Sequence, residues 1–85
     1  MPSIIMYSTA TCPYCERARQ LFKLKKVPFE EIRVDAHPEK REEMIAKSHR
    51  NTVPQIFIDA HHVGGCDDLY ALDVDGRLDK LLKQG

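Results

Sequence analysis

Cys12-Pro13-Tyr14-Cys15 separates two segments of different pattern, and that junction limits the fold of this chain more than any other feature. Before it, Ile4-Ile5-Met6-Tyr7 is a continuous apolar run, the pattern of a strand buried on both faces as in a parallel sheet. Ser8 to Thr11 is polar and turn-like. After the motif, Cys15, Ala18, Arg19, Leu21, Phe22 and Leu24 supply a broad stripe at helical spacing from Pro13 to about Lys26. Pro13 suits the first helical position, where its missing N–H costs nothing. Lys23, Lys25 and Lys26 fall in the last turn, where cations favour the helix dipole. The motif therefore lies where a strand passes into a helix. The Cys12 sulfur falls at the helix N-cap, where unpaired N–H groups and the positive dipole end favour an anion. The thiolate is the nucleophile, so the position activates Cys12. Cys15 lies one turn further in, more buried and less ionised, within reach of a small disulfide. Cys12 is expected to attack and Cys15 to resolve. Alone, a CxxC beside a βαβ unit is first a redox signal, although it also fits half a zinc site.

The rest of the chain alternates. Pro28 ends the first helix, and Phe29 to Val34 reads as a second strand, with Ile32 and Val34 on one face and Glu31 and Arg33 on the other. Pro38 opens a second helix to about Ser48 that buries Met44 and Ile45. Its Glu39 to Glu43 charge run reads as a solvated face. Ile56-Phe57-Ile58 is a third strand, and His62-Val63 begins a fourth after a turn near Asp59-Ala60. Gly64-Gly65 breaks it. A helix from Cys66 to about Leu72, a turn at Asp75-Gly76 and a last helix carrying Leu78, Leu81 and Leu82 complete the chain. The order is βαβ, then α, then ββ, then helix: a mixed α/β domain whose first βαβ is right-handed.

Composition narrows the classes. Eighty-five residues support one domain, 1–85, with roughly 5,200 Å² exposed when folded. Thirteen basic and thirteen acidic side chains cancel, against the basic excess of a nucleic-acid binder and against attraction to an anionic membrane. No apolar run approaches the ~20 residues of a membrane helix, and Met1 to Tyr7 lacks a signal-peptide pattern. Three cysteines make an odd number, unlike a secreted disulfide scaffold, so cytoplasmic thiol chemistry is expected. His37, His49, His61 and His62 read most simply as solvated polar residues.

Cys12-Pro13-Tyr14-Cys15, Thr52-Val53-Pro54 and Gly64-Gly65-Cys66-Asp67-Asp68, in this order and spacing, resemble the dithiol glutaredoxins across essentially the whole chain. The resemblance implies a thioredoxin-like fold: a four-stranded mixed sheet, order 2-1-3-4, strands three and four antiparallel, flanked by helices. It implies an oxidoreductase without a tightly bound cofactor or metal ligands; a monomer is expected because no second large apolar surface is apparent in the sequence. Glutathione would be its co-substrate, and glutathionylated or disulfide-bonded proteins its partners. Cys12 and Cys15 would be catalytic. Tyr14, Thr52, Val53, Pro54, Gly65, Cys66, Asp67 and Asp68 would bind glutathione.

Elementary chemistry gives each segment a reason. A cis bond between Val53 and Pro54, as the family implies, would turn the chain and leave the Val53 N–H and C=O free to pair with an extended peptide. Gly64-Gly65 permits close backbone approach. The helix N-terminus at Cys66 and Asp67 offers N–H groups to a carboxylate, and Asp67 or Asp68 can meet an ammonium. A γ-glutamyl group carries both charges. Thr9 stands where many glutaredoxins carry lysine, which leaves His49 and Arg50 as candidates for the glycine carboxylate. Two other functions fit parts of the pattern. A reductant served by thioredoxin reductase keeps CxxC, but lacks a Gly65-Cys66-Asp67-Asp68 clamp. An iron–sulfur or zinc module could use Cys12, Cys15, Cys66 and His61 or His62, although Pro13 stiffens the turn against a cluster.

Overall fold

The structure, a computed structural model, describes residues 3–83. Eight elements follow in order: β1 (Ile4–Ser8), α1 (Pro13–Leu24), β2 (Glu30–Arg33), α2 (Pro38–Ser48), β3 (Gln55–Ile58), β4 (His61–Gly64), α3 (Cys66–Val74) and α4 (Arg77–Lys83). The sheet order is β2-β1-β3-β4. β1 runs parallel to β2 and antiparallel to β3, and β4 closes an antiparallel hairpin on β3. The expected sheet is thus the observed one. The solvent-accessible surface, 5230 Å², matches the size expectation.

The unbroken apolar run in β1 has a simple cause: both faces are covered. Ile4 and Met6 enter one core with Ala18, Leu21 and Phe22 of α1, Leu69 of α3 and Leu78 of α4. Tyr7 turns to the other face, where it meets Val34 and Met44, with Ile5, Ile32 and Phe57 packed around them. The Tyr7 ring stands edge-on to Phe57, centroids 5.9 Å apart. Its hydroxyl donates to Glu43 at 2.7 Å, so one end of the expected solvated acidic face is drawn into this smaller core.

Some local expectations fail for geometric reasons. α1 stops at Leu24, because Lys26 takes a left-handed conformation (φ 59°) and Val27 N–H bonds back to the Phe22 carbonyl. Leu24 is 76% exposed. At 100° per residue it lies about 160° around the helix from Phe22, on the solvent side. Arg19, counted in the apolar stripe, is instead an ion-pairing residue: its guanidinium reaches Glu31 at 2.6 Å and Glu16 at 2.9 Å. α2 buries Met44 and Ser48 but leaves Ile45 37% exposed, at the edge of its contact arc. The strands extend beyond or short of expectation by a residue or two; β4 begins at His61 and includes Gly64, and α3 continues to Val74.

Candidate active site

Cys12 is the N-cap of α1, in extended conformation (φ −87°, ψ 117°), with Pro13 directly behind it. Helix entry thus places its sulfur at the positive end of the helix, as expected. The side chain makes no capping bond; its thiol instead donates to the Val53 carbonyl at 3.8 Å. Loss of the thiol proton removes that bond and leaves an anionic sulfur beside the unpaired N–H groups of the first turn. Cys15 is fully buried, and both thiols are free. Burial pushes the Cys15 thiol far above its ordinary range. The Thr9 backbone lowers it and contact with Cys12 raises it, each less than burial does. The pair is therefore asymmetric: one sulfur is accessible, and the other is held protonated underneath it.

Arg19 sets the segment in front of the motif. Besides its two carboxylate partners it donates to the Thr9 carbonyl at 3.1 Å, tying the loop after β1 to α1 and β2. Sequence reasoning missed this role, because Arg19 falls at a helical position that otherwise looks apolar.

A cavity of about 330 Å³ is lined in part by Val53, whose carbonyl accepts from the Cys12 thiol. Tyr14 of α1, 53% exposed, forms one wall. Thr52, Val53 and Pro54 line it too, and the peptide bond between the last two is cis. Among the described residues the Val53 N–H has no partner, and its carbonyl faces only the Cys12 thiol. Gly65, Cys66, Asp67 and Asp68 close the end at the start of α3, and Arg50 joins them. The structure thus gathers all eight residues that sequence reasoning assigned to a peptide-binding groove. His49 is not among the lining residues; it is the left-handed C-cap of α2 (φ 61°) that turns the chain toward Arg50. Ser48 steadies that turn, its hydroxyl accepting the Arg50 N–H at 3.1 Å. A larger depression of about 490 Å³ lies against Glu16, Arg19, Glu31 and Arg33, and no thiol lines it.

The two glycines divide their tasks. Gly64 sits at φ +113°, and a Cβ there would collide with the Asp68 carboxyl. Its constraint comes from the protein itself, not from a ligand. Gly65 lines the cavity, and its N–H is taken by Asp68 Oδ2 at 3.0 Å. Asp68 also pairs with Arg50 at 3.2 Å. The Gly65 N–H, and then Arg50, hold the Asp68 carboxyl below its ordinary range. A carboxylate depressed by folding stabilises the native state above its unfolded pKa, and that contribution disappears as pH falls through the folded value. Asp68→Asn is therefore expected to destabilise the protein more at pH 7 than at pH 3. Urea unfolding at the two values checks this; an equal loss at both would contradict it.

Cys66 is buried, and its thiol is raised mainly by that burial, which makes it a poor nucleophile at neutral pH. Among the described residues no three His, Cys, Asp or Glu side chains converge as a metal site. His62 departs from the solvated reading: it is half-buried and bonded to Gln55. No helix of the described residues is long and apolar enough to cross a membrane.

Residues 4–63 match the family model described as Glutaredoxin. The chain is 59% identical over 83 residues to glutaredoxin 3 of Escherichia coli K12, covering 98% of this chain and all of that one. It is similar to the solution structure of glutaredoxin from Brucella melitensis, with 55% identity, a TM-score of 0.87 and coverage of 100% and 92% of the two chains. The crystal structure of a buckwheat glutaredoxin–glutathione complex superposes with a TM-score of 0.91 at 27% identity, covering 98% of this chain and 78% of that one.

Proposed function

Since the chain belongs to the glutaredoxin family of thioredoxin-fold, glutathione-dependent thiol–disulfide oxidoreductases, with Cys12 and Cys15 as its redox pair, we propose that it reduces protein–glutathione mixed disulfides and protein disulfides by using the Val53-lined cavity as a glutathione groove. The supporting observation is the meeting of Tyr14, Thr52–Pro54 and Gly65–Asp68 in one cavity, whose Val53 carbonyl accepts from the Cys12 thiol.

In this reading the cysteinyl part of glutathione pairs with the free Val53 N–H and C=O as a short added strand. Tyr14 and Pro54 flank the sulfur path. The N–H groups at the start of α3 receive the γ-glutamyl carboxylate, and Asp67 or Asp68 the ammonium. Arg50 takes the glycine carboxylate, exchanging its partner Asp68 for the ligand. The Cys12 thiolate attacks the glutathione sulfur; the new S–S bond forms as the old one breaks, and the protein thiolate leaves and takes up a proton. A second glutathione thiolate then attacks the Cys12 adduct, releasing glutathione disulfide and restoring the Cys12 thiolate. With a protein disulfide, the Cys12 thiolate attacks one sulfur and the other leaves as a thiolate. Cys15, its proton lost to that thiolate, then attacks the Cys12 sulfur. The Cys12–Cys15 bond forms as the Cys12–protein bond breaks, leaving an internal disulfide for glutathione to reduce. The protein acts as one domain over residues 1–85, as a monomer in the cytoplasm, without a tightly bound cofactor.

The deciding assay is steady-state reduction of a small glutathione mixed disulfide, supplied with glutathione, glutathione reductase and NADPH, or with thioredoxin reductase and NADPH. Saturable turnover is expected from the first system only. Turnover from thioredoxin reductase alone would replace the glutathione reading with the thioredoxin-like one.

A further inference from the structure

The Thr52–Pro54 segment is braced by a buried polar chain that thiol exchange does not itself use. Gln55, fully buried at the start of β3, donates from Nε2 to the Thr52 carbonyl and to Thr52 Oγ1, each at 3.1 Å. Its Oε1 meets His62 Nε2 at 2.8 Å. The direction of every bond is forced. A carbonyl oxygen only accepts, so the amide nitrogen must face Thr52 and the amide oxygen must face His62. The His62 nitrogen must then carry a proton, which makes the neutral ring the Nε2–H tautomer. The ring stacks on Phe57 with centroids 4.8 Å apart, and burial, ahead of the nearby Arg50 charge, disfavours its charged form. At the far end Thr52 Oγ1 is engaged as an acceptor by a group that cannot accept in return. Its own proton has no acceptor among the described residues, and Thr52 lines the groove.

We infer that Gln55 is a positioning residue that sets the hydrogen-bond polarity of the groove, through Thr52, so that this wall donates to a carboxylate or peptide carbonyl of the bound ligand and disfavours a donor there. The ligand half of this inference rests on the glutathione reading of the groove. The Gln55–His62 half does not.

Nitrogen-15 NMR of the wild-type imidazoles tests the chain without any variant or ligand. His62 is expected as the Nε2–H tautomer; the Nδ1–H tautomer would overturn the inference. The second test is kinetic, with folding of each variant verified by thermal melting. Gln55→Met is expected to raise KM for a glutathione mixed disulfide about tenfold, the scale of one net hydrogen bond, with kcat within about twofold. Because Gln55 acts through Thr52, Gln55→Met added to Thr52→Val is expected to cost no more than about twofold beyond Thr52→Val alone, and Thr52→Ser to retain wild-type KM. Effects that multiply in the double variant, or a loss carried in kcat with KM unchanged, would overturn it. Absence of saturation in the wild type would overturn the glutathione reading and the ligand half together. A wrong tautomer with normal saturation would overturn the inference alone.

Discussion

Turnover of a glutathione mixed disulfide is expected to fall by more than about a thousandfold in Cys12→Ser, while Cys15→Ser keeps activity within a few-fold of wild type. A serine hydroxyl at the N-cap is essentially un-ionised at neutral pH, so the accessible nucleophile is lost outright. Cys15 is fully buried and held protonated, so it contributes only when an internal disulfide must close. Loss of Cys15 should therefore appear with disulfide-bonded protein substrates, not with glutathione adducts. The coupled NADPH assay measures both variants. Mass spectrometry should find glutathione trapped on Cys12 in Cys15→Ser. Activity surviving in Cys12→Ser above a tenth of wild type, or equal inactivity of both, would refute the division of labour.

Phe22→Ala is expected to cost about 3–5 kcal/mol, the range for removing a large aromatic side chain from a packed core. Phe22 is fully buried and touches Phe29 with ring centroids 5.2 Å apart. It belongs to the buried stripe of α1 and shares one core with Ile4 and Met6 of β1 and Ile56 and Ile58 of β3, so its removal leaves a cavity between helix and sheet. For a domain of this size each kcal/mol shifts Tm by about 4–8 °C, so a drop of roughly 12–40 °C is expected by calorimetry. Leu24→Ala, two residues on and 76% exposed, should stay within about 0.5 kcal/mol of wild type. Comparable losses at the two positions would contradict the assignment of α1's buried face.

That contrast also marks what the residue pattern can convey. Helix starts were legible at Pro13 and Pro38 because a proline at the first helical position is a local fact. The strand-to-helix placement of Cys12 and Cys15 was legible for the same reason, and the three groove segments were legible as motifs. The exposure of Leu24 and Ile45 was not, since both are apolar residues at helical spacing and only the packing of neighbours decides which arc is covered. Glu43 looked like one member of a solvated charge run; its partner, Tyr7, lies 36 residues away and on another element. Gln55 and His62 were hidden similarly. A polar residue inside a strand is readable as buried only when its partner across the hairpin is known, and the bulge between Ile56 and Phe57 alters the register that would place it.

The central position of β1 bears on how the molecule is made. Its two neighbours arrive at different times: β2 about 25 residues later, and β3 about 50 residues later, with Ile4 facing Ile58. The redox motif is synthesised early, while the Thr52–Pro54 wall of its groove and the strand that completes the core come from the second half of the chain. At about 5–20 residues per second, Ile58 is joined roughly 2–9 s after Cys12. During that interval the nascent polypeptide carries both thiols without the tertiary contacts that later bury Cys15. The finished protein separates one reactive sulfur from one protected sulfur. In the unfolded nascent chain neither thiol is buried, so selective thiol reactivity is a property the chain acquires only on folding.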